Sequence, residues 1–335
     1  MSGPSASPPP AGLAAVDPLG HPAGVVEHRE VPPGAAPWMA ATGSPVWQPR
    51  PRDSGTPPAL EELRFVTWNI RVGAGDLRSL VEELQAAGGD FVLLLQEVVR
   101  MGAPVPGEPP PGSRWAGRIA DPLPPGRSRE DIGRLALEAG LSLLYAPSMR
   151  SGGPGDPPED RGNAILSSLP MTDPSVLELP VERQRRSAVA ATVHVRVQRE
   201  TTPLRLVSVH LENRAPWSRF WRIPGAAREA QAADLLRRLG SPGPLPTPLV
   251  LGGDLNSWWG EQGEGAVRRL RRELPHPATL ESRPTHHWEL GLDRQSDYLL
   301  FRLPEGCTAR VHRLEDERNS DHWPLEGRVS TPGAR

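Results

Sequence analysis

The sequence contains no lysine, so all 38 residues in its lysine and arginine count are arginine. Acidic residues number 40, which gives a formal net charge of −2 and none of the general positive charge that draws proteins to nucleic acid. A single cysteine, Cys307, excludes an internal disulfide and a cysteine-ligated metal cluster. No apolar run approaches the roughly 20 residues of a membrane-spanning helix. A disulfide framework and an integral membrane protein are therefore not expected.

The amino-terminal segment differs in composition from the rest of the chain. It begins Met-Ser-Gly-Pro and shows neither the basic region nor the apolar region of a secretion signal, so we expect a cytoplasmic protein. We also expect the protein to be a monomer. Residues 1–60 are rich in Pro, Gly, Ala and Ser without a helical or alternating period, and such a composition buries too little apolar surface to offset its ordering entropy. This predicts a disordered or loosely wrapped extension before one domain over residues 61–331. Trp38 and Trp47 leave open the alternative that the segment packs back on that domain.

The most informative stretch is residues 249–256, Leu-Val-Leu-Gly-Gly-Asp-Leu-Asn. Its three apolar residues predict a short buried strand, and the two glycines that follow predict a tight turn of the backbone. Asp254 and Asn256, two positions apart at the end of an extended segment, are expected to point to the same side. A carboxylate beside a carboxamide suits a hydrated metal ion or a phosphate. A polar turn after a strand is the alternative that this stretch alone leaves open.

Polar side chains also stand at the ends of other predicted strands. Residues 63–70 predict a strand with Asn69 near its end, and the apolar run 91–95 predicts a strand covered on both faces, followed by Glu97. A carboxylate there is costly unless it is paired or bound to a metal, and an ion pair with Arg100 is the alternative to the metal. Strand ends on one rim of a sheet converge in space, so these side chains are expected to form one site. The further candidates at strand ends are Asn163, His210, Asp297, Asp321 and His322.

The order of the predicted elements indicates the fold class. Strands outnumber helices, and helices predicted near residues 76–87, 129–139, 225–239 and 263–273 lie between groups of strands. This pattern is typical of two stacked mixed β-sheets with helices outside them, in one mixed α/β domain.

The strand-end residues as a group indicate chemistry on a phosphoester. Oxygens of carboxylates and carboxamides suit Mg²⁺ or Mn²⁺ better than zinc, which prefers histidine and cysteine. Two histidines beside such a metal suggest acid–base catalysis. No serine–histidine pairing signature and no cysteine nucleophile accompany them.

Seven short motifs in a fixed order make the sequence resemble the endonuclease/exonuclease/phosphatase superfamily, which has the deoxyribonuclease I-like fold. The motifs are Trp68-Asn69, Gln96-Glu97, Gly162-Asn163-Ala164, Ser208-Val209-His210, Gly253-Asp254-Leu255-Asn256, Ser296-Asp297-Tyr298 and Ser320-Asp321-His322. Each motif is weak alone, and their order over residues 63–329 carries the resemblance. It implies a four-layer α/β/β/α sandwich and Mg²⁺-dependent cleavage of phosphate esters, with Mn²⁺ as a second candidate metal.

The resemblance implies a metal site and a histidine–carboxylate pair. Glu97 matches the principal metal ligand, with Asn69 and Asp321 close to the metal. His322 matches the family histidine that is paired with a buried carboxylate, here Asp297. Such a carboxylate fixes the histidine tautomer and raises its basicity.

The remaining motif residues are implied to handle water, phosphate and a second histidine. Asp254 would orient the attacking water, and Asn256 would hold a phosphoryl oxygen. His210 matches the second histidine of the deoxyribonuclease, sphingomyelinase and inositol-phosphatase branches. Asn163 would orient that histidine or bind the phosphate.

The sequence determines the substrate less well than the chemistry. The exonuclease III branch places a tyrosine near the scissile phosphate, and neither Tyr145 nor Tyr298 stands in that context, which disfavours an abasic-site endonuclease. A nuclease-type phosphodiesterase is favoured; a phosphatase or phospholipase C-type enzyme acting on a phosphorylated lipid or small molecule is the alternative, and a non-catalytic binding protein is a third. Aromatic residues with arginines after two strand ends favour nucleic acid over membrane lipid as the partner. The candidate substrate contacts are Arg100, Trp217, Trp221 and Trp258.

Overall fold

The computed structural model describes most of the chain. It covers the backbone of residues 27–29 and, with their side chains, residues 31–50, 55–116, 123, 128–153, 155–213, 225–240, 247–281, 283–287 and 293–332. The candidate substrate contacts Trp217 and Trp221 lie outside these residues. Within the described part of the chain, no helix combines the length and the apolar character needed to cross a bilayer.

The described residues form thirteen strands, six α-helices and one 3₁₀ turn. The strands are β1 (Glu27–Arg29), β2 (Val46–Gln48), β3 (Arg64–Asn69), β4 (Phe91–Met101), β5 (Ser142–Ser151), β6 (Glu159–Ser167), β7 (Thr172–Glu178), β8 (Ser187–Val197), β9 (Glu200–His210), β10 (Leu249–Asp254), β11 (Asp297–Arg302), β12 (Thr308–Arg313) and β13 (Leu325–Ser330). The helices are α1 (Ala36–Met39), α2 (Leu77–Ala86), α3 (Ile132–Glu138), α4 (Gly225–Arg238), α5 (Gly260–Gly263) and α6 (Gly265–Glu273), and the 3₁₀ turn is Leu60–Glu62.

The strands form two mixed sheets that pack face to face. One sheet has the order β1-β7-β8-β9-β10-β11, and the other has the order β12-β13-β3-β4-β6-β5-β2. Apolar side chains from both sheets fill the space between them, among them Val92 and Leu94 of β4, Leu206 of β9 and Val250 of β10. The predicted pair of stacked mixed sheets is confirmed.

Helices cover the outer faces of the sheets. Leu80 of α2 and Leu135 of α3 belong to the apolar cluster on the seven-stranded sheet. Leu235 of α4 and Val267 of α6 belong to the cluster on the six-stranded sheet. The side chain of Asp76 caps α2 by accepting a hydrogen bond from the amide of Ser79. The layers therefore follow the order α/β/β/α, in agreement with the predicted fold.

Gly252 and Gly253 lie inside β10, so the tight turn predicted for them is wrong. The two glycines serve close packing instead. A Cβ on Gly252 would lie 2.7 Å from the Cβ of Thr67 and 2.8 Å from the Cδ1 of Leu94, both on the facing sheet. A Cβ on Gly253 would lie 2.1 Å from the carbonyl oxygen of Val209 on β9. The missing side chain of Gly252 therefore allows close approach of the two sheets, and that of Gly253 allows close approach of the neighbouring strand β9.

The strands on either side of β6 carry irregularities at matching positions. The register of β4 against β6 shifts between Leu95 and Val98, so the chain bulges at Glu97, whose φ is +57°. The register of β5 against β6 shifts between Pro147 and Met149. Bulges redirect side chains and allow strands to bend. Because the strand continues past its bulge, β4 extends beyond the predicted run 91–95.

Residues 31–50 pack on the folded domain, the alternative that Trp38 and Trp47 left open, so the predicted extension does not hold for this part of residues 1–60. β2 pairs with β5, and Trp47 lies in the apolar cluster between the sheets with 6% of its surface exposed. Trp38 is buried as well, and the amide of Gly43 donates to the carboxylate of Asp160 at 2.8 Å. The composition was misleading because two tryptophans and one strand pairing supply the contacts that the surrounding Pro and Gly cannot. Residues 1–26, 30 and 51–54 lie outside the described residues.

Replacing Trp47 by alanine should lower the free energy of unfolding by about 3–5 kcal/mol, the usual cost of removing a large buried aromatic side chain. Trp259→Ala is the matched control, because Trp259 is 70% exposed. Its effect should stay within about 0.5 kcal/mol. Urea denaturation of the full chain measures both values. Equally small effects would show that β2 adds nothing to the fold.

Replacing Gly252 by alanine should destabilise the protein by about 1–3 kcal/mol, because the added methyl group would overlap atoms of the facing sheet. Gly107→Ala is the control: a Cβ there meets no atom within 4 Å. Thermal or urea unfolding distinguishes the two variants. A Gly252→Ala protein as stable as the Gly107→Ala protein would contradict the close approach of the sheets at this point.

Candidate active site

The strand-end residues gather at one rim of the two sheets. β9 and β10 run parallel and end together at His210 and Asp254, which are paired in register. β11 runs antiparallel to β10 and begins at Asp297, which also lies opposite Asp254. On the facing sheet, β3 and β4 run parallel, and Asn69 ends β3 beside the bulge that holds Glu97. The topology thus carries five of the predicted side chains to the same rim.

Asp254 lies at the centre of this group. Its Oδ2 accepts a hydrogen bond of 3.0 Å from Nδ2 of Asn69, which joins the two sheets. The same oxygen lies 3.4 Å from Nε2 of His210 and 3.9 Å from Nε2 of His322. Burial, followed by the negative charge of Asp297, raises the pKa of Asp254. A carboxylate in this setting accepts a proton more readily than an exposed one.

His322 and Asp297 form the hydrogen-bonded pair that the resemblance implied. Nδ1 of His322 lies 2.8 Å from Oδ2 of Asp297. The backbone amides of Ser296 and Asp297 both donate to Oγ1 of Thr285 at 3.0 Å, which holds the carboxylate in place. Burial alone would lower the pKa of His322, but the charge of Asp297 and its hydrogen bond outweigh burial and raise the pKa to about 10. His322 is therefore protonated at neutral pH.

His210 has the opposite shift in pKa. Burial, followed by the positive charges of Arg186 and His322, holds the pKa of His210 well below its usual range. Its Nδ1 lies 3.9 Å from Oε1 of Glu97. The rim thus holds one neutral and one protonated imidazole, both near Asp254. Environments that push the pKa values of neighbouring groups apart are typical of catalytic acid and base assignments.

Asn69 and Glu97 are held by the backbone that follows β3. The amide of Arg71 donates to Oδ1 of Asn69 at 3.0 Å, and the amide of Val72 donates to Oε2 of Glu97 at 3.1 Å. The side chain of Arg71 also lies 3.7 Å from a carboxylate oxygen of Asp321. Arg71 and Val72 both have positive φ values, of +48° and +50°, which bend the chain around these side chains. One short segment therefore contacts all three predicted metal-site residues.

The two remaining carboxamides are positioned by backbone carbonyls. Nδ2 of Asn256 donates to the carbonyl of Leu211 at 3.0 Å, and φ of Asn256 is +51°. Its backbone amide donates to Asp254 at 2.8 Å, so Asn256 leaves the strand in a left-handed conformation and not on the extended course that was predicted. Nδ2 of Asn163 donates to the carbonyl of Ser187 at 2.6 Å.

His286 is also part of the site. Its ring stacks on that of His322, with centroids 4.1 Å apart and planes at 19°. Nε2 of His286 lies 3.8 Å from Oδ2 of Asp321, and its Nδ1 accepts a hydrogen bond of 3.1 Å from Nε of Arg294. No periodicity or motif in the sequence marks this residue, because its segment reaches the site only through tertiary packing.

Two groups of ligand-type side chains in the described residues have ligand atoms within 4.8 Å of one another: His286, Asp321 and His322, and Asp254, Asp297 and His322. Glu97 belongs to neither group. It stands instead with Asn69 and Asp321 around the segment after β3, and these three residues offer oxygen donors only. A set of hard oxygen donors fits Mg²⁺ or Mn²⁺, so the predicted metal-site residues suit the predicted metals.

Arg100 is not available to a substrate, so that candidate is wrong. Its guanidinium holds the buried Asp160 in a bidentate pair at 2.5 and 3.1 Å and also donates to the carbonyl of Ser44. Only 5% of Arg100 is exposed. The alternative pairing with Glu97 does not form either, because Asp160 already holds the guanidinium of Arg100.

Trp258 stands close to the site residues through its contact with Arg294. It follows the end of β10, is 36% exposed and has the guanidinium carbon of Arg294 4.2 Å from its ring centroid. Its neighbour Trp259 is 70% exposed. Arg294 also donates a hydrogen bond to His286, so this arginine contacts both Trp258 and a residue of the site.

Comparison with known proteins bears on the fold and on the family. No curated protein matches this chain. Among solved structures, an endonuclease/exonuclease/phosphatase from Beutenbergia cavernae is similar with 22% identity over 81% of this chain and 72% of that chain, at a TM-score of 0.52. A functionally unknown conserved protein from Enterococcus faecalis is similar with 17% identity over 80% of this chain and 99% of that chain, at a TM-score of 0.51. The human Nocturnin catalytic domain with bound sulfate anion has 19% identity over 84% of this chain and 97% of that chain, at a TM-score of 0.49.

These structural likenesses, at low identity, concern the fold alone. The match to a family model is more specific, because it spans residues 66–322 and so includes every motif of the rim from Asn69 to His322. With this match and the arrangement of the rim residues, the chain belongs to the Endonuclease/Exonuclease/phosphatase family.

Proposed function

We propose that the protein is a Mg²⁺-dependent phosphodiesterase with a nuclease-type activity. Enzymes of its family hydrolyse phosphoesters. The observation that carries the proposal is the set of contacts around Asp254: one carboxylate oxygen is shared by Asn69, His210 and His322 in a buried site. A buried carboxylate between a neutral and a protonated imidazole is suited to move protons during attack by water.

Glu97, Asn69 and Asp321 would hold the metal, and Mn²⁺ fits the same oxygen donors. A divalent ion bound there supplies a Lewis acid that neutralises charge on the phosphoryl oxygens. The amide of Val72 fixes the direction of the Glu97 carboxylate, and the amide of Arg71 fixes that of the Asn69 amide. Ligands held in this way lose little freedom on binding an ion.

The side chains of the rim divide the proton transfers. Asp254 would orient the attacking water and take its proton, because burial raises the pKa of this carboxylate. The oxygen of that water bonds to phosphorus as the bond to the leaving oxygen breaks. His322 holds a proton while Asp297 anchors its Nδ1, so its Nε2 can donate to the leaving oxygen. Asp254 can thus accept the proton of the attacking water, and His322 can supply the proton that the leaving oxygen needs.

His210 and Asn256 would position the phosphoryl group. The neutral His210 can donate one hydrogen bond without adding charge beside His322. One hydrogen of the Asn256 amide is bonded to the carbonyl of Leu211, and the other can reach a phosphoryl oxygen. Asn163, bonded to the carbonyl of Ser187, would support the wall of the site beside His210.

Nucleic acid is the favoured substrate class. Trp258 offers an aromatic face, and Arg294 supplies a guanidinium beside it, a combination that stacks bases and holds phosphates. The exposed pair Trp258 and Trp259 is also the observation that favours the second candidate, a phosphatase or phospholipase C-type activity on a lipid, because tryptophans suit a lipid interface.

Hydrolysis of bis(p-nitrophenyl) phosphate by the full chain, with Mg²⁺ and with EDTA, tests the reaction. We expect activity that EDTA abolishes. Glu97→Gln should remove activity at limiting Mg²⁺. Cleavage of the dinucleotide dTpdT, whose leaving alkoxide needs a proton, should fall by about 10²–10⁴-fold in His322→Ala, the usual contribution of a general acid.

Exposed residues of the same types provide the controls. Glu200→Gln changes a carboxylate at the opposite end of β9, and His312→Ala changes a histidine on β12; both should retain activity. An EDTA-resistant activity, or a Glu97→Gln enzyme that works normally at limiting Mg²⁺, would contradict the metal assignment.

Binding of single-stranded oligonucleotide separates the two substrate classes. Trp258→Ala should weaken binding by about 1–3 kcal/mol, the contribution of one stacked base, while Trp258→Phe keeps an aromatic face and most of the affinity. Fluorescence anisotropy in EDTA measures binding without cleavage. Co-sedimentation with phospholipid vesicles that Trp258→Ala abolishes, without oligonucleotide binding, would support the lipid enzyme instead.

A further inference from the structure

A polar pocket opens beside the rim residues Glu97 and His210. The pocket is small and open to solvent. Part of the pocket is built from β5, from β6 and from the turn before β8. Besides the two rim residues, the walls include Arg161, Asn163, Gln184 and Arg186.

Arg186 is a buried cation without a carboxylate partner among the described residues. It is 4% exposed, and its guanidinium donates to Oε1 of Gln184 at 3.3 Å, while its Nε has no acceptor in the described chain. Buried Arg185, by contrast, pairs with Glu178 at 2.5 and 2.8 Å, and buried Arg150 donates to the backbone carbonyls of Pro106 and Gly107. Burying a charge is costly unless an opposite charge compensates it. The pocket therefore presents a cation that an anion would stabilise.

The carboxylate of Glu212, which is near enough to act on the charge of Arg186, is committed elsewhere. It accepts backbone amides of residues 183, 184 and 213 at 3.3, 3.1 and 3.1 Å. These bonds shape the turn that carries Gln184 and Arg186 into the pocket. Glu212 thus serves to build the wall and leaves the guanidinium for another anion.

Arg161 adds a second cation to the same pocket. Among the described residues it forms no ion pair, and its terminal nitrogen contacts the sulfur of Met149 at 3.5 Å, a weak acceptor. Gly162 follows it, and a Cβ there would lie 1.9 Å from the carbonyl oxygen of Ala146. Arg161 and Arg186 both line this pocket.

We propose that this pocket binds a second phosphate group of the substrate, next to the scissile one. The inference rests on the proposed phosphodiesterase function and deepens it. Two guanidinium groups with neighbouring amides match the geometry and charge of a phosphate, which arginine binds through paired hydrogen bonds. Glu97, the carboxylate of this pocket, belongs to the metal set, so a bound cation would offset its repulsion. The preferred substrate is then a phosphodiester that carries another phosphate, either in a neighbouring nucleotide or at a strand end.

Kinetics on three thymidine dinucleotides tests this preference and its source. The substrates are dTpdT, the same dinucleotide with a 5′-terminal phosphate, and the same with a 3′-terminal phosphate. We expect one phosphorylated form to exceed dTpdT in kcat/KM by about tenfold or more, as one charged hydrogen bond contributes. Arg186→Gln and Arg161→Gln should each bring this ratio towards one, and Arg186→Lys should keep part of it.

Arg310→Gln is the matched control, because Arg310 is exposed on β12 and should leave the ratio unchanged. A wild-type ratio near one for both phosphorylated forms overturns the proposal, as does a ratio that survives both glutamine variants. If Arg186→Gln does not fold, which a melting curve shows, the half-buried Arg161 decides the test.

Calorimetric titration with pyrophosphate in EDTA distinguishes failure of the pocket from failure of the enzyme. Wild type and Arg310→Gln should bind equally, and Arg161→Gln should bind about tenfold more weakly, whether or not the protein cleaves a phosphodiester. Binding without any hydrolysis would refute the proposed function and leave the anion pocket standing. Absence of binding at about 1 mM pyrophosphate, or equal binding by all variants, refutes the pocket.

Discussion

The geometry of the site depends on how closely the two sheets approach at Gly252. Because no side chain separates them there, polar groups on the facing rims come within hydrogen-bond distance. Asn69 reaches Asp254 at 3.0 Å, and Gln96 reaches Ser208 at 3.0 Å, each bond joining one sheet to the other in a buried setting. Leaving one partner of such a bond unsatisfied costs about 1–3 kcal/mol, so these contacts oppose sliding of the sheets. Packing of the two sheets therefore holds the rim residues in place, and the loops contribute further side chains to the site.

Burial then assigns different protonation states to chemically similar groups. His210 and His322 flank one carboxylate, yet burial keeps the first neutral, while Asp297 keeps the second protonated. A water-filled cleft would let both imidazoles titrate near their ordinary pKa. The same low polarity leaves Arg186 as a cation that needs an anion. The protonated His322 and the cationic Arg186 are thus already in place to bind a negatively charged ligand.

The strand-end residues could be predicted from the sequence because a polar residue after an apolar run has few stable places other than a rim. What could not be predicted depends on contacts between distant segments. His286 enters the site by stacking on His322, and Arg100 leaves it by pairing with Asp160, and neither contact has a local signal. The Pro-rich composition around Trp47 predicted disorder, but burial of this one aromatic side chain in the core stabilises the segment more than its solvent-facing neighbours destabilise it. Composition averages over a window, whereas burial is decided residue by residue.

The amino-terminal segment also covers both sheets on one side of the sandwich. Among the described strands, β1 is outermost beside β7 in one sheet, and β2 is outermost beside β5 in the other. An uncovered edge offers unpaired amide and carbonyl groups to any extended chain. During synthesis, β1 and β2 emerge first but wait for partners that end at Ser151 and Glu178. Proteolytic loss of this segment would expose both edges, and the protein would then tend to join edge to edge with its own copies.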